Sequence, residues 1–484
     1  YETFDSMKTW LWKENIPTIQ FYRVAVDNAE PFYNIYGGTQ DNNSLGGPSR
    51  TQYNRGIINE DWYVTNGGDG FESQIDPTNP NIVYAQAQYG WLVRFDKSSG
   101  ETAMIQPQNG EDEPAYRWNW DAPLIISPHD PSTLYFAANV VFKSTNKGNS
   151  WEVISEDLSK QIDRNTLKVM GQNWGPDAIT PHRSTSIFGN IVMLRENPSI
   201  KGELWAGTDD GRLCIKRADS QEWEIQEEFP GIPEGTYVQE IQISRYDENT
   251  AYVLFNNHKN GDFAPYILKT TNGGKSWKSI ANDLPQRGSL YALAEDHMES
   301  QLLFVGTEFG VQFTADGGDH WKSLTNGLPT IAVRDLTLQE RESDLVLGTF
   351  GRGFYVLDDY SALRHLTSEN LEKDGFIFPI KDGLFYNESN IGGVSYKGNA
   401  YYHASNPEVG ATFTYSIANL PKSLKDLRKE EEKDSESFAF PSTETLRAEK
   451  NEKKTYLLLM IRDSEGVEVR RPTASASEGI HKIT

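Results

Sequence analysis

The chain has 484 residues, 37% apolar and 12% aromatic, enough to bury a large core and to fill more than one domain. Its formal charge of −23 sets it against nucleic acid, anionic polysaccharide and acidic membrane surfaces, and leaves a neutral glycan, a peptide or another protein as partner. Cys214 is the only cysteine, so no intrachain disulfide forms, and the longest apolar run, YLLLMI at 456–461, is far too short to span a bilayer.

In chain order, the opening YETFDSMKTW places Thr3, Asp5 and Trp10 at the spacing of a turn motif that recurs downstream, with Met7 where the later copies carry glycine. No initiator methionine or signal-like start is present, so residues 1–15 read as the end of a sheet begun upstream, the remnant of a preceding propeller of the same polypeptide. QFYRVAVD from Gln20 then reads as a strand. Equivalent strands begin FESQIDP at Phe71, LIISPHD at Leu124, IFGNIVMLREN at Ile187, VQEIQISRYD at Val238, LYALAED at Leu290 and VRDLTLQ at Val333. Alternation at Ile241 and Ile243, and at Leu336 and Leu338, suits half-buried strands.

Behind several of these strands stands a hairpin closed by one octet: STNKGNSW (144–151), TTNGGKSW (270–277) and TADGGDHW (314–321). A decayed copy keeps Trp223 and loses the glycine. Trp151, Trp223, Trp277 and Trp321 stand 72, 54 and 44 residues apart, the period of a four-stranded sheet plus its loops. Seven such units predict an all-β fold, a seven-bladed β-propeller over 16–368 with these octet turns. Beyond it, 375–484 reads as an Ig-like or fibronectin-like β-sandwich, incomplete at its end. ATFTYSI from Ala411 alternates, a hairpin turns around Ser464 and Gly466, and a charged helical insertion at about 422–454 opens with Ser423 and Asp426 at capping-box spacing.

The octet is expected to fasten rather than to catalyse. Its hydroxyl (Ser144, Thr270, Thr314) and its Asn or Asp (Asn146, Asn272, Asp316) suit the backbone groups of a tight turn. Gly148, Gly274 and Gly318 tolerate positive φ, and Trp151, Trp277 and Trp321 lie back on the sheet. Asn replaces Asp freely, which a turn acceptor allows and a catalytic acid does not.

The octet resembles the Asp-box, or BNR repeat, of bacterial sialidases, xyloglucan-cleaving propellers and sortilin (VPS10) receptors. YGGTQDNNSLGGPSR (36–50), NGGDGFESQIDP (66–77), YRWNWDAPLIISPHDP (116–131), SWEVISEDL (150–158) and GTFGRGFYVLDD (348–359) narrow this to a large group of bacterial secreted proteins labelled sortilin-like or glycosyl hydrolase. That resemblance implies an extracytoplasmic protein, secreted, periplasmic or at the cell surface, with two propellers ahead of an Ig-like sandwich.

In a propeller the octet turns occupy one face, and the bends between second and third strands occupy the other together with the sheet-to-sheet connections. Bends supply Gln40, Asp41, Gln88, Tyr89, Asp209, Asp210, Glu308 and Arg352 to that second face. Connections supply Asp69, Trp118, Trp120 and Asp121, and then a long segment, 155–186, with Trp174, Asp177, His182 and Arg183, long enough to fold over a channel mouth. Competing structural roles are plain: Asp69, Asp209 and Asp210 as turn acceptors, Trp118 and Trp120 as inter-sheet core, Arg352 as a counter-charge to carboxylates near the channel. Neither a Cys/His ligand spacing nor a calcium loop is present, so no metal site and no cofactor are expected.

Two functions fit. A binding protein would hold a peptide, protein or neutral glycan at this acidic, aromatic-rimmed mouth. A glycoside hydrolase would need a pair drawn from Asp69, Asp121, Asp209 and Glu308, in a cleft shared with the upstream propeller, about 5 Å apart for retention or about 6.5–9.5 Å for inversion. By resemblance, Asp209 in GTDDG stands nearest to a xyloglucanase catalytic Asp, with Glu308 in GTEFG at the same place of another sheet. A sialidase is excluded by the lack of its Phe-Arg-Ile-Pro start and arginine triad.

Overall fold

A computed structural model describes residues 1–13, 16–179, 188–390, 402–433 and 440–484. It divides into a large unit, Tyr1–Tyr360 with Asn387–Pro407, and a smaller one, Ser361–Tyr386 with Glu408–Thr484.

The large unit is all-β. Among the described residues its main sheets are antiparallel and meander in chain order, four strands in each of the first six and three in the last, beside a two-stranded pairing of Ile57–Ile58 with His403–Ala404. Their first strands are Phe21–Val26, Gly70–Ile75, Leu124–Ser127, Ile191–Glu196, Tyr237–Ile243, Leu290–Glu295 and Val333–Gln339. Each adjoins the first strand of the next sheet, and the seventh adjoins the first. Small residues at the strand contacts let the sheets approach closely: a Cβ on Gly207 would stand 2.4 Å from Val238 and one on Gly306 2.6 Å from the Val333 carbonyl.

Between sheets the core is aromatic and aliphatic. Tyr84, Trp118, Phe136 and Phe142 pack in one such layer, and Trp205, Phe229, Val238 and Phe255 in another. The ring is joined across its ends by Phe21 stacked on Phe354 at 3.7 Å, by Tyr33 donating to Asp344 at 2.9 Å, and by the Val24 amide donating to Asp335 at 2.8 Å.

All three octets share one geometry. The hydroxyls of Ser144, Thr270 and Thr314 accept from the amides of Gly148, Gly274 and Gly318 at 2.9–3.0 Å. Oδ1 of Asn146, Asn272 and Asp316 accepts from the amide four residues on, at 2.9 Å. Each glycine has positive φ, from +83° to +101°. The opening segment repeats the pattern at Thr3 and Asp5, with Met7 at φ +69° in the glycine position. The tryptophans lie between two sheets, each packed on its own, as Trp151 is on Phe136, and each reaching across to the preceding one. Trp151 donates to the Ile105 carbonyl (2.6 Å), Trp277 to Gln226 (3.0 Å) and Trp321 to the Ile280 carbonyl (2.8 Å). The glycine makes room for this, since a Cβ there would strike Ile105, Ile215 or Ile280.

In the smaller unit Phe413–Ile417 pairs with Phe376–Ile377 on one side and Gly479–Ile483 on the other. Tyr456–Leu458 pairs with Thr473–Ser475, and a hairpin turns at Gly466, φ +81°. Two helices, Leu424–Lys433 and Thr443–Asn451, are tied by Arg428 to Glu449. Ser423 accepts from the Asp426 amide at 3.2 Å. No helix among the described residues is long and apolar enough to cross a membrane.

Candidate functional site at the channel mouth

Six of the seven first strands carry a β-bulge at their leading end, where they pair with the last residues of the second strand. A bulge adds an unpaired residue and re-aims its side chain. The extra residues Tyr22, Gln239, Tyr291 and Arg334, from four different sheets, line one pocket with Arg23, Asp121, Tyr237, Asn256, His258 and Lys259. The pocket encloses about 190 Å³. His258 and Lys259 follow a second strand and Asp121 precedes a first strand, so the pocket opens on the face opposite the octet turns.

Beneath it lies a charge network. Arg23 donates to Asp121 at 2.8 Å and lies 3.9 Å from Glu72 and 4.0 Å from Glu240, which in turn accepts from Arg195 at 2.8 Å. Asp335 accepts from the Val24 amide. Glu72 keeps 17% of its side chain accessible, yet protein surrounds it, and that enclosure pushes its pKa up to about 8 against the pull of Arg23. Burial likewise raises Asp335 to about 6. Four carboxylates facing Arg23 hold that arginine charged at any ordinary pH despite its burial.

The sequence-derived candidates distribute as follows. Tyr22 donates to Gln40, Gln40 donates to Asp69 at 3.4 Å, and the Asp69 amide donates to Gln88 at 2.9 Å, a chain linking consecutive bends. Asp69 also accepts from the Asp41 amide at 2.7 Å. Tyr89 has φ +60°, is 38% exposed, and meets Trp120 edge-on at 4.9 Å. Trp118 is core, packed on Phe136 and Phe142.

Asp209 is buried beneath the Gly189 and Asn190 amides, accepting at 3.0 and 2.8 Å; burial raises its pKa to about 7. Asp210 accepts from Thr208 at 2.5 Å and from the Lys160 amide at 2.7 Å. Glu308 accepts from the Tyr291 hydroxyl. Asp177 is exposed, and His182 and Arg183 lie outside the described residues.

Arg352 does not perform the neutralising role expected of it. It is exposed and pairs with no carboxylate among the described residues; Arg23 and Arg195 meet the channel carboxylates instead. Sequence reasoning missed Tyr22, Arg23, Gln239, Tyr291 and Arg334. Their signal was present in the aligned strand starts FYR, VQE, LYA and VRD, where the second residue breaks the alternation that a bulge resets.

Chemically, the four candidate carboxylates are all committed: Asp121 to an arginine, Asp69 and Asp209 to backbone amides, Glu308 to a tyrosine. Among the described residues no group of three or more His, Cys, Asp or Glu side chains could hold a metal ion.

Radially packed four-stranded sheets with a channel-mouth pocket define an all-β protein of the β-propeller class. No family model matches the chain. It is 22% identical over 259 residues to xyloglucanase Xgh74A of Acetivibrio thermocellus, covering 47% of this chain and 28% of that protein. The GH74 xyloglucanase of Xanthomonas campestris shares its fold with a TM-score of 0.52 at 15% identity, over 74% of this chain and 54% of that one. A GH74 enzyme of Niastella koreensis does so with a TM-score of 0.50 at 13% identity, over 84% and 65%. The chain therefore spans roughly a quarter to two thirds of the lengths of these proteins. At these identities the likeness is one of fold, that of propeller-type proteins.

Proposed function

We propose that this chain is the seven-bladed propeller and Ig-like portion of a secreted or cell-surface protein directed at carbohydrate, which holds a neutral glycan across the mouth opposite the octet turns. The observation that carries binding rather than cleavage is the commitment of Asp69, Asp121, Asp209 and Glu308 to internal partners. A general acid and a base must both be open to the scissile bond. Tyr89, held at positive φ beside Trp120, offers an aromatic face of the kind on which sugar rings stack.

The second reading is a glycoside hydrolase on a neutral polysaccharide, its acid and base completed in a cleft with a second propeller. The relatives favour it, since those named are xyloglucanases or GH74 enzymes. No observation specifically favours a peptide or protein ligand.

Affinity electrophoresis through gels cast with xyloglucan and other neutral polysaccharides, run beside a reducing-end assay, separates the readings. Retardation without new reducing ends is expected. New reducing ends transfer the conclusion to the hydrolase, and silence in both assays ends the carbohydrate reading.

A further inference from the structure

Two cations of the mouth pocket, Arg334 and Lys259, stand outside its ion pairs. Arg334, the extra residue of the bulge in Val333–Gln339, lies between two rings, its guanidinium carbon 4.1 Å from the Tyr291 centroid and 4.4 Å from that of Phe350. No described carboxylate comes within ion-pair distance of it, and its buried Nε has no hydrogen-bond partner there. Lys259, exposed and 5.0 Å from the Tyr237 ring centroid, has no described carboxylate partner either. Burial, then Lys259 and Arg334, lowers the pKa of His258 beside them. The third cation, Arg23, is already matched by Asp121. Glu308 acts on His258 through space but is bound to the Tyr291 hydroxyl, not to Arg334.

Two rings hold Arg334 in place, and a guanidinium grips a carboxylate with two parallel hydrogen bonds. Around it stand the tyrosines 22, 237 and 291 for ring contact, and Gln239 for hydroxyl groups. The space of about 190 Å³ is below that of a drug-sized site and suits one sugar ring.

We propose that this pocket binds one acidic sugar residue, a hexuronic acid, with its carboxylate between Arg334 and Lys259 and its ring against the tyrosines. The inference rests on the carbohydrate reading above and adds to its neutral glycan one acidic residue at this spot. It also reverses, at one spot, the exclusion of acidic glycans drawn from the charge of −23. Charges on the outer surface are screened within about 8 Å at physiological salt, which leaves Asp121 and Glu308 as the near repulsion that Arg334 and Lys259 must outweigh.

Isothermal titration of the whole chain with glucuronate, galacturonate, their methyl esters, glucose and acetate tests it. A uronate is expected to bind, with its ester, glucose and acetate each at least tenfold weaker. Arg334→Gln and Lys259→Gln should each lose tenfold or more; Lys259 is exposed, so its variant remains informative if the arginine variant folds poorly. Esters or glucose binding as tightly would overturn the acidic part, and acetate binding as tightly the sugar part. No uronate binding, or full affinity in the lysine variant, overturns the proposal. Xyloglucan retardation of the parent chain, measured in parallel, tells the two failures apart: its survival removes only the acidic site, its absence removes the carbohydrate reading as well.

Discussion

At the scale of single residues, the octet works by dividing labour between glycine, hydroxyl and tryptophan. Gly318 combines φ +101° with a Cβ position 2.8 Å from Ile280, so an alanine there is strained twice. Gly318→Ala should cost about 2 kcal/mol, and Trp321→Ala about 3–5 kcal/mol, because the indole is 7% exposed and its N–H is bonded. Denaturant unfolding of both variants measures the two losses; equality with the parent would return the octet to the list of functional candidates. Asp209 was singled out in the sequence as a catalytic acid, and its environment explains why sequence could not decide. The same GTD that resembles a xyloglucanase here caps the buried amides of Gly189 and Asn190. Asp209→Ala should lower stability by about 1–3 kcal/mol by orphaning them, whereas Asp209→Asn, which keeps an acceptor, should cost less.

At the scale of elements, the bulged first strand is the unit that makes the site. Its hydrophobic residues were legible from alternation, and each predicted first strand is a strand in the molecule. The bulge residue was not, because register depends on the neighbouring strand. Arg23 shows the consequence: its partner Asp121 is 98 residues away, and no spacing rule joins them. Removing that arginine should be severe, since Arg23→Met leaves Asp121 without its ion pair and Glu72 without its nearest cation, while Glu240 keeps Arg195; a loss of about 3–5 kcal/mol is expected in thermal or denaturant unfolding.

The same strands predict a pH dependence. The folded pKa of Glu72, about 8, exceeds its ordinary 4.5, so between these values the folded chain holds a proton that the unfolded chain has released. This share of stability is complete below about pH 4.5 and is lost as pH rises through about 8. Glu72→Gln carries no such loss. Its melting temperature relative to the parent should therefore increase from pH 5 to pH 9, and a constant difference would contradict the raised pKa.

At the scale of the large unit, residues of the first and last sheets join across the array. Tyr33 and Asp344 are 311 positions apart and joined at 2.9 Å. Tyr33→Phe should cost about 1–3 kcal/mol by removing one hydrogen bond from the buried Asp344 carboxylate, which keeps the Asp359 amide, read as an earlier unfolding transition. On the mouth, Tyr89→Ala should weaken retardation by neutral polysaccharide about tenfold while leaving the melting temperature near that of the parent, since the ring is substantially exposed.

What the sequence determined by itself was local and repetitive. The strand starts, the octets and their tryptophan period follow from alternation, turn chemistry and recurrence, all of which act within about fifty residues of chain. Which carboxylates are committed within the protein, and which cations lack an ion pair, was decided only when the sheets packed on one another. That brought Arg23 to Asp121 and set Arg334 between Tyr291 and Phe350. The physical reason is that charge pairing falls off over a few ångströms in space and ignores distance along the chain.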